Sequence, residues 1–235
     1  MGPMTLSLTP VDEGTWAQAD WPLGAHIDPA SGQTTFAVAA PRATWVTLEF
    51  FPAARGVDAE LSVPMAAGAD GVWRARVEGA RHGTLYGFRV WGENWPYQDG
   101  WTPGSTVGWL ADRDEQLNHF NPNKLLFDPY AREVTHNPMS VGPQRAWFGS
   151  GPVDVDGRPG RTIDTAHIAP KGVVVEDDTS YGTHPRHPEE DNAIYEAHVK
   201  NLTLHPSSVR LGDLLAGVPG FEGLPNIPDE LRGTY

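Results

Sequence analysis

Asp70-Gly71-Val72-Trp73-Arg74-Ala75-Arg76-Val77-Glu78 decides the fold. In an extended chain successive side chains point to opposite faces, so Trp73, Ala75 and Val77 share one side while Arg74, Arg76 and Glu78 share the other. The Asp-Gly pair just ahead of the run is a hairpin-turn signal. The stretch therefore reads as a β-strand with one face in a core and one face in water, and Trp73 reads as a core residue rather than a ligand contact.

The same period-2 pattern extends in both directions. Upstream, Phe36, Val38 and Ala40 alternate with Thr35, Ala37 and Ala39; Val46, Leu48 and Phe50 alternate with Thr47 and Glu49; Leu61, Val63 and Met65 keep the same phase. Downstream, Tyr86, Phe88 and Val90 form one face of a strand, leaving Gly87, Arg89 and Trp91 on the opposite one. Five or more short strands at hairpin spacing between about Trp21 and Trp91 predict a small β-sandwich. Trp16, Trp21 and Trp45 have no polar constellation around them and read as packing residues.

Composition agrees with a mostly β chain. With 235 residues, 39% hydrophobic and nine Trp, the protein can bury one or two cores, which excludes a wholly disordered reading. Gly 26 and Pro 22 favour short strands and long irregular connections over helix bundles. The absence of cysteine excludes disulfides and thiolate metal sites. Residues 1–20 show neither a basic n-region nor an apolar h-region, so a cytoplasmic, reducing location is expected. No run of 18 apolar residues is present, and a membrane partner is not expected. A net charge of −13 with 17 scattered Lys and Arg excludes nucleic acid as an expected partner.

Beyond the sandwich the pattern changes. Gly92 to Glu190 has weak periodicity and many Pro, Gly, Asn and Asp residues, a length that implies a larger neighbour supplying its contacts. Asp191 to Lys200 then reads as the opening strand of a large α/β barrel, with Ala193 to Val199 apolar on both faces except at Glu196 and His198, as in a central parallel strand. Only 36 residues (235 − 199) follow Val199, whereas an eight-fold barrel needs about 250. The expectation is a front part of something longer. A short helix over Val209–Val218 and a helical turn over Pro228–Leu231 complete the reading. The resulting division is an N-terminal segment 1–20, a β-sandwich 21–118, a loop-rich linker 119–190, and the start of a truncated (β/α)8 barrel at 191–235.

These residues carry a family resemblance. Pro41 to Leu48, Asp70 to Trp73 and Gly83-Thr84-Leu85-Tyr86-Gly87-Phe88-Arg89-Val90-Trp91-Gly92 resemble, in order and spacing, the N-terminal family 48 carbohydrate-binding module of α-glucan debranching enzymes. Phe120-Asn121-Pro122-Asn123-Lys124-Leu125-Leu126-Phe127-Asp128-Pro129-Tyr130-Ala131 resembles the linker joining that module to the barrel in isoamylases and bacterial glycogen debranching enzymes. Pro170 to Val174, Ile194 to Lys200 and Glu230 to Tyr235 continue the match. The resemblance implies an intracellular glycoside hydrolase of family 13 that cleaves α-1,6 branch linkages in glycogen or limit dextrin. It implies a retaining reaction by an Asp nucleophile and a Glu acid/base about 5 Å apart, both on later barrel strands. None of that family's signatures (an Asp followed by Asn-His, a Gly-Phe-Arg-Asp-type strand, the Glu, a final His-Asp) occurs before Tyr235. No catalytic residue is assigned, and this chain alone is expected to be inactive, its partners being α-glucan and a missing C-terminal catalytic barrel. A free-standing, non-catalytic α-glucan-binding or scaffold module is the alternative.

Glucan faces stack on exposed aromatics, so the outward-facing Trp91, with Trp95, Tyr97 and Trp101 close behind it, forms the candidate carbohydrate platform. Packing of the same aromatics against the barrel is the competing reading. Two features depart from the glucan-binding pattern: no Asn-Asn-Trp loop occurs around Phe51 to Val57, and the Lys after the strand Tyr is replaced by Gly87. Glu196 and His198 lie on one face of their strand and read as structural. His184, His187, Glu189, Glu190 and Asp191 with Asp177 and Asp178 form an acidic cluster of the kind that holds calcium, but Pro185 breaks the spacing and a solvated loop is preferred. No metal site and no cofactor are assigned. Asn201-Leu202-Thr203 is a glycosylation sequon without consequence in the absence of secretion, and Gly149-Ser150-Gly151 lacks the spacing of a nucleophile elbow.

Overall fold

A computed structural model describes residues 7–137, 142, 144, 147–149, 160–177 and 204–231. The chain divides into two units, residues 1–178 and 179–235. Among the described residues the first contains ten short strands: β1 (Thr9–Pro10), β2 (Gly24–Ile27), β3 (Thr34–Ala39), β4 (Trp45–Phe51), β5 (Leu61–Pro64), β6 (Ala66–Ala67), β7 (Val72–Glu78), β8 (Leu85–Trp91), β9 (Glu133–Val134) and β10 (Gly172–Val173). They pair into two antiparallel sheets. One has the order β1-β7-β3-β2 with β6 also paired to β7; the other has the order β5-β4-β8-β10-β9.

The predicted alternation sets the register. In the first sheet Phe36 faces Ala75 and Val38 faces Trp73 across the ladder. In the second, Val46 faces Val90, Leu48 faces Phe88 and Phe50 faces Tyr86. The apolar faces meet in one core in which Phe36, Val46, Leu48, Phe50, Ala75, Val77 and Tyr86 are wholly buried. Phe36 sits edge-on to Phe50 at 5.4 Å and to Tyr86 at 5.0 Å, an arrangement that places positive ring edges on negative faces. Trp73 is in this core and donates its indole N–H to the Ala40 carbonyl at 3.1 Å. The Asp70-Gly71 turn forms as read: Gly71 has φ +75°, and the Asp70 carboxylate accepts the Val72 N–H at 3.1 Å.

Two contributions to the sheets come from outside the periodic region. Thr9 and Pro10 pair with Glu78 and Val77, and a 3-10 turn over Glu13–Gln18 buries Trp16, whose indole donates to the Val11 carbonyl at 2.8 Å. Trp21 packs against the core beneath the Arg76 guanidinium, 4.7 Å from its ring centre. On the other side, Gly172 and Val173 pair with Tyr86 and Leu85, and Val134 and Glu133 follow them. Two-residue strands carry no alternation to read, which is why they are invisible in the sequence pattern.

In the second unit, a 3-10 turn spans Pro206–Val209, an α-helix spans Leu211–Leu214 and a second 3-10 turn spans Asp229–Leu231. The helix expected over 209–218 is thus a single turn. It stops ahead of Gly217, whose φ of +79° ends a right-handed helix. No helix among the described residues is long and apolar enough to cross a membrane. The expected barrel strand Ala193–Val199 with Glu196 and His198, the cluster from His184 to Asp191, the sequon and Ser150-Gly151 all lie outside the described residues.

Candidate functional site

On the second sheet, the face opposite the core does not meet water. Thr47, Glu49, Arg89 and Trp91 lie on it and are buried, the last two with 2% exposure each. The loop-rich chain after Trp91 covers them. Leu126 bonds back to Phe88 through both backbone groups, at 2.8 and 2.9 Å, and lays Leu125 over Gly87. A Cβ at residue 87 would lie 3.1 Å from the Leu125 side chain and from the Leu126 carbonyl. The Lys-to-Gly departure therefore has a steric cause: the ground above the strand is already occupied.

The linker motif holds itself in place through side chains. Asn121 accepts the Asn123 N–H at 2.9 Å, and Asn123 in turn bonds Gly104, Ser105 and Arg161. Asn94 binds Ala111 and Phe120. Lys124 Nζ donates to the carbonyls of Trp147, Gly160 and Ile163 at 2.7, 2.7 and 2.8 Å. Lys171 Nζ donates to Ala54 and Ala169 at 2.9 and 3.0 Å, and also to Ala166. Burial lowers both ammonium groups to a pKa of about 8.

At the centre of the covered face, Arg89 Nε donates to Glu49 Oε1 at 2.8 Å. Its Nη1 reaches Asp164 Oδ1 and the Pro122 carbonyl, each at 2.8 Å, and its Nη2 reaches Asp164 Oδ2 at 3.2 Å. Burial pushes the Glu49 carboxyl above its usual range, with Arg89 pulling it back. Asp128, beneath Tyr86, is likewise raised by burial, and it accepts the phenol O–H at 2.8 Å.

Beside this ion cluster lies a groove of about 390 Å³, walled by Trp45, Trp91, Tyr97 and Trp101 and floored by Glu49, Arg89 and Asp164, with Asp58 on the lining. Trp45 and Tyr97 stack at 4.7 Å with 15° between their planes. Trp91 stands edge-on to Tyr97 at 5.3 Å and to Trp101 at 5.1 Å. Three of the four expected platform residues are therefore together. Trp95 is not with them: it is 1% exposed and gives its indole N–H to the Val107 carbonyl at 2.8 Å. Trp91 faces away from the core, but it is roofed by Tyr97 and Trp101 and forms the back of the groove rather than an open platform. Trp45, read as packing, lines the groove. Its phase was legible, since it shares the Thr47 and Glu49 stripe and not that of Val46, Leu48 and Phe50.

A ring-shaped, polyhydroxylated molecule suits this lining. Its C–H face can lie on indole or phenol, and its hydroxyls can meet carboxylates and a guanidinium. Glu49 and Asp164 both engage Arg89, which leaves neither carboxylate free of a cationic partner. Among the described residues no three His, Asp or Glu gather in a metal-binding group.

Residues 22–131 match carbohydrate-binding module 48, the isoamylase N-terminal domain. The isoamylase of Pseudomonas amyloderamosa is 36% identical over 91% of this chain and 26% of its own length. The glycogen debranching enzyme of Erwinia tasmaniensis is 36% identical over 77% of this chain and 20% of its own. Pullulanase from Bacillus acidopullulyticus is 19% identical over 81% of this chain and 17% of its own, with a TM-score of 0.43. The chain thus spans about a quarter or less of the length of these proteins. The strands β2 to β8, the sequence motifs and the relatives agree on this region: residues 22–131 match carbohydrate-binding module 48, the isoamylase N-terminal domain, and that match spans just under half of the chain.

Proposed function

We propose that this chain is the non-catalytic N-terminal part of a cytoplasmic α-1,6-glucosidase of the isoamylase and glycogen debranching type, and that its sandwich contacts the α-glucan. The observation that carries the reading is the groove: stacked Trp45 and Tyr97 beside a buried carboxylate and guanidinium floor, in a chain aligned along 91% of its length with an isoamylase. The proposed layout keeps the sandwich at 21–118, a linker at 119–190 and the beginning of a catalytic (β/α)8 barrel at 191–235. The carboxylate pair that would cleave the glycosidic bond belongs, on this reading, to the barrel.

The test has two arms. Release of reducing ends from glycogen is measured for the chain alone and for a protein in which it precedes a complete barrel. Only the second is expected to cleave, and hydrolysis by the chain alone overturns the reading. Migration of the chain through a native gel containing glycogen then reports contact by the sandwich. Retardation without hydrolysis in either protein favours the free-standing binding module instead.

A further inference from the structure

The wall of the groove is not supplied by the sandwich alone. Trp45, Glu49, Arg89 and Trp91 come from β4 and β8, whereas Asp164 and Ala166 come from a segment about 75 residues further along. The described part of that segment, residues 160–171, forms one 3-10 turn and no sheet ladder. It is held instead by polar pins. Arg89 takes Asp164, Lys124 takes the carbonyls of Gly160 and Ile163, and Lys171 takes those of Ala166 and Ala169.

Loop 52–59, which also lines the groove through Asp58, is tied to the same segment. Gly56 N–H donates to the His167 carbonyl at 2.9 Å, the His167 ring bonds Asp58 at 2.9 Å, and Lys171 reaches the Ala54 carbonyl. The groove also holds polar atoms with no partner among the described residues: Glu49 Oε2 and the indole N–H groups of Trp91 and Trp101. These atoms are enclosed, so the lining is incompletely satisfied as it stands. With Glu49, Asp58 and Asp164 against the single cation Arg89, the lining disfavours an anionic sugar and suits a neutral one.

We propose that the groove is a composite site for a neutral α-glucan chain, closed on one side by residues 160–171, so that ligand binding and the docking of this segment stabilise one another. The inference rests on the glucan reading above and adds to it that the family-matched region, residues 22–131, does not contain the whole site. Undocking this segment breaks its side-chain and backbone bonds and exposes the buried Ala166 and Ala169, and a ligand that touches only its docked form must leave before it opens.

Amide hydrogen exchange of the intact chain, with and without maltoheptaose, tests the coupling, with peptides from residues 211–231, which supply nothing to the groove, as the reference. At a ligand concentration of about 100 Kd, exchange within 160–171 is expected to slow by up to about 100-fold while the reference stays unchanged. A Lys124→Met variant, altered at a pin that does not line the groove, is expected to bind maltoheptaose at least about tenfold more weakly; if that variant does not fold, the exchange measurement on the unaltered chain decides alone. Maltoheptaose binding that leaves exchange in 160–171 unchanged overturns the composite site and leaves glucan binding standing. No maltoheptaose binding by the intact chain overturns both.

Discussion

Arg89 and Asp164, 75 residues apart, meet in a two-point ion pair with Nη1–Oδ1 at 2.8 Å and Nη2–Oδ2 at 3.2 Å. The fork of a guanidinium matches the two oxygens of a carboxylate, so the pair fixes orientation as well as distance. With Glu49 on the other side of Arg89, it staples the loop-rich chain onto the central strands of the second sheet.

Replacing Arg89 by Met leaves the Glu49 and Asp164 carboxylates without their cation on a covered face. Removing one partner of a buried ion group costs about 3–5 kcal/mol, far more than the net value of the pair itself. Urea unfolding of Arg89→Met is expected to show a loss in that range. Asp164→Asn is expected to lose less, because Asp164 keeps 18% of its side chain in water while Arg89 keeps 2%. A loss below about 1 kcal/mol for Arg89→Met would contradict the burial argument.

Gly87 is a second point where the covering chain leaves a measurable trace. Any side chain here meets Leu125 and the Leu126 carbonyl at 3.1 Å from its Cβ. Gly87→Ala is expected to destabilise by about 1–3 kcal/mol through overpacking, although alanine is ordinarily the better strand residue. A Leu125→Ala change in the same chain is expected to recover part of that overpacking cost, a non-additivity that thermal unfolding of the two single variants and the pair would reveal.

Where the sequence alternates, it is readable: the core-facing residues of β3, β4, β7 and β8 are those predicted, down to Trp73 in the core and the Asp70-Gly71 turn, although Arg74, expected in water, is 3% exposed and paired with Asp70. The covered face was not readable, because Thr47, Glu49, Arg89 and Trp91 look like a solvated stripe until the chain from Leu125 to Leu126 and Asp164 is laid over them. Long-range polar pins leave no periodic signal, since Lys124 and Lys171 act through backbone carbonyls of any residue type. Trp91, Tyr97 and Trp101 were found by proximity in sequence to one strand end. Trp95 sits in the same run, yet its indole turns inward to Val107, and nothing in residue type separates it from its neighbours.

That division gives two tryptophans opposite behaviours. Trp45 lies outside the buried core and stacks on Tyr97, so Trp45→Ala is expected to leave the unfolding midpoint nearly unchanged and to weaken maltoheptaose binding about three- to tenfold. Trp95→Ala removes a ring that is 1% exposed and is expected to cost about 3–5 kcal/mol of stability. Fluorescence titration alongside urea unfolding separates the two effects; a reversed pattern would place the groove elsewhere.

The two pinned lysines set the alkaline behaviour of the fold. Lys124, Lys171 and Lys200 are the lysines of the chain, and the first two fall from 10.5 to about 8 on burial. Below pH 8 both states carry the charge, and the folded state bears its full desolvation cost. Between about 8 and 10.5 the folded lysines release protons that the unfolded chain still binds, so unfolding takes up protons and stability rises with pH. The rise is expected to be about 1–3 kcal/mol for each lysine across that window. Tyr86 acts in the opposite sense. Burial against Asp128 raises its phenol above the ordinary value of 10, so beyond pH 10 the unfolded chain ionises first and stability falls. The urea midpoint should therefore climb from pH 8, peak near pH 10 and then drop, and Tyr86→Phe should flatten the descending limb. With so few lysines in the chain, NMR of their Nζ groups assigns the protons directly: two are expected to titrate near 8, and a midpoint that declines steadily from pH 8 to 10 would show that the carbonyl cages hold the charged form outright.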